Sequence, residues 1–114
     1  MFGISVEKLE KMAGKKKSGK IIKYVDSKDK TIRDAAIKAL GKCGDDDSYN
    51  KVIMLLNSGD TDVRIAAARA LGEMERPQAA THLTHAIKTE TDSRVLAALK
   101  TAMQNVHSKA EHLS

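Results

Sequence analysis

Along most of the chain, apolar residues recur at intervals of three and four, the spacing of one face of an α-helix. The pattern is clearest at 60–72, where Val63, Ala66, Ala67, Ala70 and Leu71 share a side that Met74 continues. Asp60 stands where a helix N-cap is wanted, and no Pro interrupts the run. That face is mostly Ala, so a neighbouring helix must approach it closely. The same pattern occurs at 29–41, with Asp29, Ile32, Arg33, Ala35, Ala36, Ala39, Leu40 and Gly41 standing 31 residues before Asp60, Val63, Arg64, Ala66, Ala67, Ala70, Leu71 and Gly72. A repeat of this period marks a stacked helical array, in which neighbouring units complete one another's core.

The rest of the chain reads in the same way. A short helix is expected at 5–13 with Ser5 as N-cap, then a turn at 14–19 and a second short helix around Ile21, Ile22 and Val25. The helix from Asp29 should end at Gly44 in the left-handed conformation, and Asp45 to Ser48 offer caps for the next. That helix would bury Val52, Ile53, Leu55 and Leu56. Pro77 is placed as the first residue of the helix carrying Ala79, Leu83 and Ile87. A last helix begins near Asp92, and from His107 the tail turns polar and is expected to fray. One residue is inserted before Asp92, so this helix matches the others at an offset of 32. The reading is a single all-α domain over 1–114, with two-helix units at 1–28, 29–59 and 60–91 and a closing helix at 92–107.

At Asp-x-x-Val/Ile-Arg-x-Ala-Ala-x-x-Ala-Leu-Gly the chain resembles the HEAT-like repeat of the phycobilisome-lyase type. The first unit lacks the Asp, the Arg and the Ala pair, and the closing helix has Leu96 and Gln104 in place of the Arg and the Gly. Such departures suit end caps, which face water. The resemblance implies a right-handed α-α superhelix whose second helices line the concave side, used mainly as a protein-binding scaffold. It also implies that Arg33 and Arg64 reach Asp29 or Asp60 as a ladder holding the repeats in register. Members of the family include bilin lyases and iron-dependent hydroxylases, so fold does not dictate function.

Composition narrows the choices. Only Phe2, Tyr24 and Tyr49 are aromatic, so the core must be aliphatic. No apolar run approaches a membrane span, and no signal-peptide core follows Met1. Cys43 stands alone and aligns with Met12 and Met74, which points to packing in a reducing, cytoplasmic setting. The net charge is +5, but residues 1–33 carry ten Lys/Arg against four Asp/Glu, so the basic excess lies in the N-terminal third.

Catalytic signals are absent. His82 and His85 lie three apart on a helix but lack a third ligand; the other acid–imidazole neighbours are Glu111 and His112 in the tail. The run Asp45, Asp46, Asp47 fails as a calcium loop, having Asn50 and Leu56 where Gly and Glu are needed. No cofactor or metal is called for. The repeat instead aligns Lys20, Lys51 and His82, and beside them Lys23, Met54 and His85, with Tyr49 and Asn50 at the edge. On second helices these would form two stripes across a concave face, although exposed lysines are also an ordinary solvated surface. The expectation is a non-enzymatic adaptor that binds an acidic peptide or protein segment there. The alternatives are nucleic-acid binding through the basic third, or an accessory subunit of a lyase-like enzyme.

Overall fold

The computed structural model describes residues 3–113, with side chains to Lys109. Its helices are α1 (Val6–Gly14), α2 (Ser18–Ile21, running on as a 3-10 turn over Ile22–Tyr24), α3 (Lys30–Cys43), α4 (Asp46–Leu55), α5 (Thr61–Met74), α6 (Ala79–Thr89) and α7 (Ser93–Leu113). No strand occurs among the described residues.

The expected caps define the helix ends. Ser5 Oγ accepts from Lys8 N at 3.2 Å, Asp29 from Thr31 N at 2.9 Å, Asp45 from Ser48 N at 3.0 Å and Asp60 from Asp62 N at 2.8 Å. Gly44 ends α3 at φ 61°, where its amide donates to Leu40 O. Two ends differ from expectation. Pro77 lies in a tight turn two residues ahead of α6, whose first helical residue is Ala79. The closing helix does not stop at His107, because Val106 is buried and the residues beyond it favour helix.

Leu9, Leu40 and Leu71 are fully buried at equivalent places, as are Ile21, Val52 and Leu83 on the second helices. Cys43 is buried among them, and burial pushes its thiol pKa up.

The two layers are spaced differently. First helices α1, α3, α5 and α7 pack side by side in dense succession, whereas α2 and α4 touch lightly and α4 and α6 barely meet. Gly41 and Gly72 explain the first spacing: a Cβ on either would stand 3.0 Å from the Cα of Ala70 or Ala102. Between α4 and α6 a crevice of about 310 Å³ opens instead, lined in part by Ile53, His82 and His85. The first helices thus form the more closely packed of the two layers. The physical cause is the Ala- and Gly-rich first-helix face, which lets backbones meet.

Candidate partner-binding surfaces

The Asp and Arg of each repeat serve the stack. Arg33 Nη1 donates to Asp60 Oδ2 of the next first helix at 3.3 Å, and its Nε to Asp34 at 3.2 Å. Arg64 does not repeat this. Its Nε and Nη2 donate to the two oxygens of Glu90 at 3.0 and 3.2 Å, and its Nη1 to Ser58 O at 2.8 Å. The cause is local: Ser27 and Ser58 accept the amides of Asp29 and Asp60, but at the third junction Glu90 accepts that of Asp92. Its longer, charged side chain, 8% exposed, captures Arg64 as well. Burial raises the Glu90 pKa, but Arg64 and the backbone amides outweigh it and hold the carboxyl below its usual range.

The residues expected to bind a partner all sit on the second-helix layer, on α2 and its continuation, α4 and α6. Lys20, Lys23, Asn50, Met54, His82 and His85 are exposed and Lys51 is half-buried. Tyr49 is not at the surface, which corrects its placement in the stripe. The Arg76 guanidinium lies 5.1 Å from the centre of its ring, and His82 meets it edge-on at 6.3 Å. Arg76 itself is anchored, donating through Nη2 to Gly44 O at 2.7 Å and through Nη1 to Asp46 at 2.9 Å. Among the described residues no three His, Cys, Asp or Glu gather as a metal site.

Sequence reasoning missed the first-helix face. A groove of about 640 Å³ runs along it, with Ala66 and Ala70 at its floor. Lys30, Asp34 and Lys38 of α3 form one wall, facing Asp62, Arg69 and Glu73 of α5, with Arg94 of α7 at the end. Lys30 pairs with Asp62, which raises the pKa of the lysine and lowers that of the acid. Lys38 and Arg69 have no ion-pair partner among the described residues, and Arg94 has only a 3.6 Å contact with Asp92. A second depression of about 490 Å³ continues between α5 and α7, and Arg69 and Arg94 line both. It contains no acid. The available signal was the alignment of Lys38 with Arg69 on the exposed side of the repeated helix.

Comparison with known proteins agrees with this architecture. The family model for HEAT repeats matches residues 19–104. A similar fold occurs in the crystal structure of epoxyqueuosine reductase with an epoxyqueuosine-modified tRNA-Tyr stem loop. The two share 24% identity at a TM-score of 0.63, over 68% of this chain and 21% of that one. No curated protein matches the sequence. No described helix is long and apolar enough to cross a membrane.

Proposed function

The chain belongs to the HEAT-repeat family, and on that premise we propose that it is a non-catalytic docking scaffold whose first-helix face takes an extended, acidic segment of a protein partner. The observation that carries this reading is the groove along α3 and α5, with its small-residue floor and the Arg69 and Arg94 pair at its continuation. An alanine floor lets a peptide backbone come close. Two guanidiniums with spare donors can each take a carboxylate in forked geometry. The groove is lined by no Ser, Cys or His, which favours binding over nucleophilic catalysis. The reductase of similar fold carries a tRNA stem loop, but Asp34, Asp62 and Glu73 in these walls would repel a continuous phosphate chain. Cys43, a buried free thiol, suits a reducing cytoplasm.

The test is fluorescence anisotropy with a short labelled peptide of alternating Glu and Ala. Arg69→Glu combined with Arg94→Glu should weaken binding by about tenfold or more, a loss of roughly 1.4 kcal/mol. The second-helix pair Lys51→Glu with Lys88→Glu removes the same charge and should change it little. Equal weakening by both pairs would reduce the effect to net charge and overturn the assignment to the first-helix face.

A further inference from the structure

We infer that the lysine-lined N-terminal end of the stack is a second binding surface, independent of the groove, that holds the phosphodiester backbone of a nucleic acid. Lys8 and Lys11 stand on α1 and Lys15 at its C-cap, and Lys17 and Lys20 approach from the following turn and α2. Together with Met12 they line a depression of about 180 Å³, and no carboxylate shares it. All five lysines are exposed. None makes an ion pair among the described residues, whereas the first-helix groove interleaves cations with acids.

The backbone that presents them is ordered by its own hydrogen bonds. Lys16 N donates to Ala13 O at 3.0 Å and Lys17 N to Met12 O at 2.9 Å. Lys16 is held at φ 54°, a left-handed conformation that non-glycine residues seldom adopt. On either side, Gly14 and Gly19 leave open space where a side chain would stand. A chain of phosphates can therefore approach the turn without obstruction.

Charge type and spacing favour phosphodiesters. The seven steps from Lys8 to the C-cap Lys15 cover about 10 Å at the helical rise, roughly three phosphates of one strand at about 3.4 Å each. Ammonium groups attract phosphates as point charges without demanding an orientation. No aromatic lines the depression, so recognition is independent of base sequence. A bilayer would instead seek an exposed apolar patch among the lysines, and Met12, the one apolar residue here, is half-buried.

The experiment titrates labelled oligouridylate into the protein at several salt concentrations, with oligothymidylate in parallel to compare RNA with DNA. Binding should weaken with salt, and Lys8→Gln, Lys11→Gln and Lys15→Gln together should reduce the slope of log K against log salt by about 2, three contacts at roughly 0.7 each. The charge-matched control is Lys42→Gln, Lys88→Gln and Lys100→Gln, which should leave the slope as it was. Lys and Gln have similar helix propensities, and unchanged melting curves confirm that both triples fold. Absence of binding at low salt, or an equal loss of slope in both triples, would overturn the proposal. Tighter retention on phosphatidylserine vesicles than on oligouridylate would overturn it in favour of a membrane.

Discussion

Replacing Gly72 with Ala should destabilise the fold even though Ala is the better helix residue. In an open helix the exchange favours folding by about 1 kcal/mol. Here the new Cβ would meet Ala102 Cα at 3.0 Å, Ala102 Cβ at 3.1 Å and Asn105 Nδ2 at 3.2 Å. The Asn105 amide can swing aside, but the Ala102 Cα moves only if α7 moves with it. Forcing a methyl into such a contact costs about 1–3 kcal/mol, so the net loss is about 0–2 kcal/mol. Gly41→Ala meets Ala70 Cα at the same 3.0 Å and should behave alike. Gly19→Ala is the opposite case, because nothing lies within 4 Å and the propensity gain stands alone. Urea titration followed by helical circular dichroism reads the differences as shifts in midpoint at constant m. Gly72→Ala should fall below Gly19→Ala by the overpacking cost, and Gly72→Leu further still. If Gly72→Ala raises the midpoint as much as Gly19→Ala does, α5 and α7 are not in backbone contact.

Leu71→Ala should cost about 2–5 kcal/mol, as truncation of a fully buried leucine does; a loss well below 1 kcal/mol in the same titration would mean that α5 does not face the core. The Glu90 carboxyl is depressed in the folded state, so its contribution is present above the unfolded pKa of about 4.3 and disappears as pH falls through the lower folded value. Glu90→Gln should therefore melt lower at neutral pH and lose less on acidification, and parallel acid limbs for the two proteins would remove the Arg64 pair from the account.

Periodicity and spacing made most of the fold legible. Apolar positions at three and four identified the buried faces, Asp29 and Asp60 announced the helix starts, and the Ala-rich face announced close crossings. The first-helix groove was harder to see, because a helical period tells which residues are buried and not which exposed rows stand together across two helices. Arg69 and Arg94, which line both depressions there, were passed over for that reason. The Arg64–Glu90 pair escaped because one inserted residue exchanged a serine cap for a glutamate. Tyr49 escaped because the guanidinium covering it, Arg76, comes from a turn 27 residues away.

The unequal spacing of the layers has a mechanical consequence. In a bent beam there is one line whose length does not change when the curvature does. Here that line runs through the Gly41–Ala70 and Gly72–Ala102 crossings, where helices already rest backbone against backbone. Any flexing of the stack would pivot its units about these fulcra, and the change in length would fall on the second-helix layer, where α4 and α6 stand apart. Side chains beside the pivots, Arg69 among them, would keep their intervals. A partner lying along the first-helix row would thus meet a ruler of constant gauge, and one lodged between His82 and Ile53 would act as a wedge that sets the bend.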